Sequence, residues 1–421
     1  MKQNFKFQMG PLLITMALGY AFSYFYLLAM GRILGPVTFG ILGALFSVFY
    51  ITSLFGQTLM ETIATNIAEI KAKAGKPAAA ASFRVLAGKL GIICLLPTIV
   101  LAAACQPIAS FFHLETIMPV IILAFSLFTV LILSIILGFM QGFQEFLKLG
   151  ITGYLTAQGL KLILGVTFVL IGWGLGGALG TLLASSAIAA VVGFIFIKKY
   201  MTSQSIDPAV KFPGTGRILG PAFVLAIFSS VPASVDVILV SHFFGGQDAG
   251  LYNAIATVGK VVFFLPLAVS FVLLPRATES HAVGRDTRHL LTQGLLVTLL
   301  LSGVASLIFW VFPNIIVLFF GDAYREAGHL LGFYTTAMLV FSLNIVLIHY
   351  SLAIRKLWLM YQAALITLAE VAVIIFIHRS LAQIIWVLLI GNIIIFIPTC
   401  AYLMLRKETA KEERLSFAKP D

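Results

Sequence analysis

"MGRILGPVTFGIL" (residues 30–42) separates two apolar runs with an arginine, a Gly-Pro pair and two further glycines. Glycine and proline together reverse a chain, so the stretch reads as the turn between two helices. It also has a partner. Moved along by 210 residues, Arg32 falls on His242, Gly35 on Gly245 and Gly40 on Gly250, so that "RILGPVTFG" (32–40) lies over "HFFGGQDAG" (242–250). Gly10-Pro11, which opens the preceding run, falls on Gly220-Pro221, and Glu69 beyond the following run falls on Glu279, all without a gap. Matches at one offset and at equivalent places mark an internal repeat.

The runs themselves set the class. The 421 residues are 60% hydrophobic and 10% charged, too apolar for a water-soluble fold of this size to hide. Twelve segments are long and apolar enough to cross a bilayer: 11–31, 41–63, 85–105, 117–138, 151–171, 177–197, 218–244, 251–274, 290–312, 330–353, 357–377 and 381–405. Period-two barrel strands are absent, so the spans are helices, which satisfy their own backbone hydrogen bonds. Segments 106–116 and 314–329 are amphipathic and do not span. The first run is too long for the apolar core of a signal peptide and is expected to stay as a span. Pro97, Pro232 and Pro266 fall inside spans and are expected to bend them. Cys94, Cys105 and Cys400 show no metal or redox spacing and read as small buried hydrophobes.

Charge orients the spans. With the N-terminus inside, the cytoplasmic loops and tails hold 22 of the 27 Lys and Arg residues, while outer loops hold only Arg32, Arg325 and Arg379. This positive-inside bias places both termini in the cytoplasm and accounts for the net charge of +11 without nucleic acid, since the loops face anionic lipid head groups. The repeat then gives two six-helix lobes of the same orientation, 1–217 and 218–421, the second ending in a cytoplasmic tail. They are joined by "KKYMTSQSIDPAVKFPGTGR" (198–217). Parallel repeats are related by an axis along the membrane normal, which predicts a cavity on that axis near the midplane.

Enzyme chemistry finds no foothold. There is no phosphate-binding GxxxxGK[ST] loop, the seven histidines are scattered without a metal spacing, and no nucleophile has a matching base. Gly172, Gly174 and Gly177 satisfy GxGxxG, but they link two spans and no strand precedes them, so they predict a turn.

Intramembrane charges say more, because each costs roughly 2.5–3.5 kcal/mol at mid-span on insertion scales. Lys260 is the tenth residue of its span, about 15 Å deep in a ~30 Å core, and Lys161 lies about as deep in span 5. Asn253, Thr257 and Lys260 share a helix face, as do Gln57 with Glu61, and Gln158 with Lys161. These residues predict a polar, partly cationic cavity for an anionic cargo. The competing account is internal pairing of a lysine with Glu370 or Asp236, and for those two carboxylates both accounts stay open. Arg32 suits an interfacial anchor or a contact at the outer mouth. Tyr20 and Tyr24 in "YAFSYFYLL" lie one turn apart, where they either stack on sugar rings or pack between helices.

"GRILGPVTFGILGALFSVFYI" and "VDVILVSHFFGGQDAGLYNAIATVGKVVFFLPLAVSFVLLPRATESHAVGRDT" (235–287), with the twelve-span plan, carry a resemblance. The chain resembles the bacterial and archaeal oligosaccharide flippases, the polysaccharide-transporter branch of the multidrug/oligosaccharidyl-lipid/polysaccharide exporter superfamily. The resemblance implies two six-helix lobes around a V-shaped, MATE-like cavity. It implies flipping of a polyprenyl-pyrophosphate-linked oligosaccharide from the cytoplasmic to the outer leaflet by alternating access, for cell-surface polysaccharide assembly. It also places Lys260 and Arg32 like cavity cations that engage pyrophosphate or acidic sugars. The expected setting is the cytoplasmic membrane, as a monomer near glycosyltransferases and a polysaccharide polymerase, with no cofactor or metal but with coupling to Na+ or H+ open. Glu61, Asp236 and Glu370 are the candidates for ion coupling or counter-charge. The alternative is a cation-coupled multidrug exporter of the same superfamily, although span 1 lacks the acidic residue expected of one. A membrane glycosyltransferase would need a large extramembrane loop, and the longest loops here are about 20 residues.

Overall fold

The computed structural model describes residues 3–201, 232–264, 286–354 and 356–405, together with 266, 269, 273, 277, 278 and 280. Every regular element among them is helical. The predicted lobe boundary at 217/218, the Gly220-Pro221 pair, Glu279 and the tail beyond 405 lie outside the described residues.

Helix α1 (Gln3–Ile93) is a run of helices joined at Gly35 (φ 73°) and Gly75 (φ 85°), left-handed positions that glycine alone adopts without strain. These joints fall between predicted spans 1, 2 and 3. The run then breaks at Cys94 and Ala104, giving α2 (Leu95–Ala103) and α3 (Cys105–Phe111). Pro97 and Pro107 explain the breaks, since neither has an N–H to offer the carbonyl four residues back. After α4 (Met118–Phe143) come α5 (Phe146–Leu149), a wider π-type turn at Gly150–Thr156, α6 (Ala157–Phe168), a second such turn at Val169–Trp173, and α7 (Gly174–Met201). Gly172 (φ 95°) and Gly174 (φ 49°) make the turn expected of "GWGLGG". The chain continues through α8 (Pro232–Phe243), α9 (Gly246–Phe264), α10 (Arg288–Val311), α11 (Ile315–Phe320), α12 (Gly328–Ala353), α13 (Leu357–Phe376) and α14 (Leu381–Leu405). The segments expected not to span hold only the short α3, α11 and a 3-10 turn at Asp322–Ala327.

Seven continuous helical runs among the described residues are long and apolar enough to cross a membrane, and two of them, Gly10–Ala103 and Phe146–Tyr200, hold several predicted spans each. Burial shows what surrounds them. On α10 the buried face is Gly294, Thr298, Ser302 and Ser306, whereas Leu300, Val304, Leu307 and Val311 are exposed. Such a helix is inside out for water and right for lipid: small and hydroxyl residues seal helix to helix, and leucines meet acyl chains. Ser302 Oγ donates to the Val262 carbonyl at 2.8 Å, and Ser306 Oγ to Thr335 Oγ1 at 3.1 Å.

The helices group into two units, residues 1–250 and 251–421. In the first, α4 packs along α1, where a Cβ on Gly138 would come within 2.7 Å of the Met60 carbonyl. At one end of this unit Glu145 accepts hydrogen bonds from the Tyr200 hydroxyl and from Lys148 Nζ (2.9 Å), and Lys199 Nζ lies 4.9 Å over the Tyr200 ring. Burial pushes the Glu145 carboxyl up, but the Tyr200 and Lys148 hydrogen bonds and the Lys148 and Lys199 charges outweigh it, leaving the pKa below its ordinary value. The Glu145 contribution is therefore present above the unfolded-state value and lost as pH falls through the folded one. Glu145→Gln is expected to destabilise the purified protein by about 1 kcal/mol at neutral pH. Parallel thermal melts should show the deficit vanishing in strong acid.

Candidate functional site

Lys161 stands on α6, one turn after Gln158, and only 5% of it is exposed. Its Nζ donates to Ser23 Oγ at 2.7 Å and lies 5.3 Å from the centre of the Tyr26 ring. Among the described residues these are its partners, and both are neutral. Tyr26 is held from behind: its hydroxyl donates to the Ala178 carbonyl on α7 at 2.8 Å, and its ring stacks on Phe46 at 5.9 Å. Gly165 makes room for that ring, since a Cβ there would come within 2.4 Å of it. Beside them, Gln158 Oε1 is buried with no hydrogen-bond partner among the described residues. Tyr20, mostly exposed, meets Tyr154 edge-on at 5.8 Å, and Tyr24 is half-buried. The first unit thus holds a buried ammonium set against Tyr26 and Ser23, with the Gln158 amide oxygen, one turn back on α6, unpartnered among the described residues.

Other expected residues fall as follows. Gln57 and Glu61 are exposed, and Gln57 Nε2 donates to Glu61 Oε1 at 3.3 Å, as their one-turn spacing predicts. Arg32 is exposed three residues before the Gly35 joint. Asp236 is buried on α8, in the first unit. In the second unit Asn253, Thr257 and Lys260 line one side of α9; Asn253 is buried, Lys260 is half-buried, and Thr257 Oγ1 donates to the Asn253 carbonyl at 2.7 Å. Lys161 therefore belongs to the first unit and Lys260 to the second.

Glu370 occupies α13 at 8% exposure, and its Oε1 has no hydrogen-bond partner among the described residues. It presses on Gly391 of α14, where a Cβ would overlap that oxygen at 1.8 Å. The next residue, Asn392, receives Asn344 Nδ2 of α12 at its carbonyl (2.9 Å) and its Oδ1 (3.1 Å), which leaves Asn344 Oδ1 without a partner among the described residues. Glu370 and the amide pair thus flank adjacent residues of one helix. Ser23, Tyr26 and the two asparagines escape a reading of the sequence. Ser23 and Tyr26 lie inside "YAFSYFYLL", but helix spacing alone pairs Tyr20 with Tyr24, and Lys161 selects the other pair.

Among the described residues no group of three or more His, Cys, Asp or Glu could hold a metal ion.

The sequence profile of a family described as "polysaccharide biosynthesis protein" matches residues 10–281. No curated protein matches the chain. Among solved structures, a multidrug resistance MATE family transporter of the MOP superfamily in an inward-facing conformation is similar with a TM-score of 0.76 at 14% identity, covering 97% of this chain and 100% of that one. The lipid II flippase MurJ, in an inward closed conformation, is similar at 0.73 and 15% identity, covering 95% and 88%. A MOP superfamily transporter from Pyrococcus furiosus Vc1, described as having a binding pocket of reverse polarity, is similar at 0.64 and 15%, covering 96% of each chain. The fold is that of MATE transporters.

Proposed function

Since this chain belongs to the polysaccharide biosynthesis protein family of oligosaccharide flippases, we propose that it carries a polyprenyl-pyrophosphate-linked oligosaccharide from the cytoplasmic to the outer leaflet for cell-surface polysaccharide assembly. The observation that carries this reading is Lys161: a buried ammonium, held only by neutral groups among the described residues, in a helix that crosses the membrane. Lys260 supplies a second cation at the repeat's other half. The physical task is to spare pyrophosphate and sugar hydroxyls the loss of water in hydrocarbon, which would be prohibitive for ionised groups. Lys161 and Gln158 in the first unit, and Lys260, Asn253 and Thr257 in the second, each offer charge-assisted and neutral hydrogen bonds to such groups, while the lipid tail stays in the bilayer. Tyr20 and Tyr24 offer ring faces to sugars, and Arg32 offers a contact where the head group leaves. Alternating access moves the cargo, with the lobes 1–217 and 218–421 as the moving parts. Asp236 and Glu370 are the proposed sites of Na+ or H+ coupling, with Glu61 a weaker candidate because of its exposure.

The test is reconstitution into vesicles with a polyprenyl-pyrophosphate oligosaccharide, the transferred glycan being scored by an added glycosidase. Lys260→Ala is expected to insert normally and to lose about nine-tenths or more of the flipping, the effect of one charge-assisted hydrogen bond. Parent-level flipping by a membrane-inserted Lys260→Ala protein would sink the reading. Efflux of cationic drugs with no glycan movement would select the multidrug-exporter alternative, which the buried carboxylates and the MATE fold favour.

A further inference from the structure

Four aromatic rings make a slab at one end of the first unit. Between ring centroids, Phe83 of α1 lies 4.4 Å from Phe139 of α4, Phe139 lies 4.3 Å from Phe143, and Phe143 lies 5.0 Å from Tyr200 of α7. Three ammoniums sit over this slab. Lys71 Nζ of α1 is 5.8 Å from the Phe143 centroid, and the Nζ atoms of Lys148 on α5 and Lys199 on α7 are 5.8 Å and 4.9 Å from that of Tyr200. The cluster thus draws on four helices, α1, α4, α5 and α7. The charge pattern of the sequence assigns this end to the cytoplasmic side.

Negative charge is scarce here. Glu145 is the carboxylate whose charge reaches all three lysines. Its two oxygens are taken, one by the Tyr200 hydroxyl and the other by Lys148. Glu69, two residues before Lys71, pairs instead with Lys73 at 2.5 Å. Burial and the Lys76 charge hold the Lys71 ammonium below its ordinary pKa, and the Glu145 charge does not offset them. Ring faces attract ammoniums but carry no net charge. Three ammoniums about one carboxylate therefore leave the cluster net positive.

The same end of α7 meets lipid. Ile188, Val191 and Ile195 form an exposed stripe at helical spacing, and the exposed Lys198 and Lys199 continue it. The opposite side of the helix is packed, and a Cβ on Gly193 would come within 2.8 Å of the Ile136 side chain. An apolar stripe that turns basic at its end marks where a helix passes from acyl chains to head groups.

From this juxtaposition we propose that Lys71, Lys148 and Lys199 form a binding site for the phosphate of an anionic diacyl phospholipid, whose acyl chains lie along the Ile188–Ile195 stripe of α7. A free phosphate meets the lysines but not the stripe. A zwitterionic lipid meets the stripe but brings no net charge. Glu145 has two effects on the site: it holds Lys148 and Tyr200 in place, and it subtracts one positive charge. The inference does not depend on what the chain transports.

The test is a titration of the purified full chain in an uncharged detergent, with bound lipid counted by native mass spectrometry. The probes are dioleoyl phosphatidylglycerol, dioleoyl phosphatidylcholine and inorganic phosphate. Lys71→Gln and Lys199→Gln are each expected to weaken phosphatidylglycerol about fivefold, the worth of one lysine beside an anionic head group, and to leave phosphatidylcholine unchanged. Lys71→Arg and Lys199→Arg keep the charge and should keep the affinity, which separates lost charge from lost fold. Glu145→Gln supplies a sign that a structural cluster does not share. It should tighten phosphatidylglycerol about fivefold even as it lowers the melting temperature. A cluster kept for architecture alone predicts one phosphatidylglycerol affinity across the parent and all these variants, and that result overturns the proposal. Inorganic phosphate bound as tightly as phosphatidylglycerol would also overturn it, since the stripe would then add nothing.

Discussion

Lys161→Met is expected to leave the protein at least as stable as its parent while cutting lipid-linked glycan flipping about 10- to 150-fold. Both halves follow from how Lys161 is held. An ammonium out of water costs several kcal/mol, and a neutral hydroxyl and a ring face repay only part of that. Methionine has similar length and no charge, and it leaves Ser23 only a hydroxyl to satisfy. A buried lysine kept for architecture would behave the other way: its removal would destabilise and its transport effect would track the loss of protein. The transport estimate is the value of one hydrogen bond to a charged group, about 1.5–3 kcal/mol. Thermal melts and flipping assays on the same preparation decide the matter. A destabilised Lys161→Met protein with normal flipping per folded molecule would make Lys161 structural. Lys161→Arg is the companion: it keeps charge but needs more room beside Tyr26 and Gly165, so partial flipping with reduced stability is the expected pattern.

The helical class was legible because composition and run length leave little choice, and the joints at Gly35 and Gly245 were legible because glycine is the residue that left-handed φ selects. The match of Gly35 with Gly245 was legible for the same reason, as matched backbone demands select matched residues. Lys161 could be found from depth alone, since a mid-span charge is costly wherever it points. Its partners could not. Ser23 is 138 residues away in sequence, and which of several polar residues on α1 meets α6 depends on helix rotation, a few tens of degrees that spacing does not define. The Glu370–Gly391 contact and the Asn344–Asn392 pair are hidden likewise, as each joins helices whose register is set by packing. The placement of α8 with the first unit is a third case. The sequence pairs Gly40 with Gly250, but does not show that their backbones meet.

Glu370→Gln and Gly391→Ala are expected to have opposite effects on stability and the same effect on ion coupling. Gln replaces a carboxyl group that burial makes costly to ionise and whose Oε1 has no hydrogen-bond partner among the described residues, so it should stabilise by about 1 kcal/mol. Ala at 391 puts a methyl group 1.8 Å from the carboxylate oxygen, and the overpacking should destabilise by about 1–3 kcal/mol as Glu370 swings away. If the carboxylate takes up a proton or Na+ during the cycle, both variants abolish the stimulation of transport by an imposed ion gradient. One lacks the anion, and the other holds it in the wrong place. Asn344 Oδ1, which also has no hydrogen-bond partner among the described residues, is the second oxygen to test: Asn344→Ala should weaken the ion dependence without removing it. A purely structural Glu370 predicts a different pattern, with gradient stimulation intact in Glu370→Gln and reduced in Gly391→Ala only in proportion to lost protein. The measurement is flipping in vesicles with Na+ and H+ gradients imposed separately, normalised to folded protein. Because the two variants move stability in opposite directions, a shared loss of coupling has no explanation in stability.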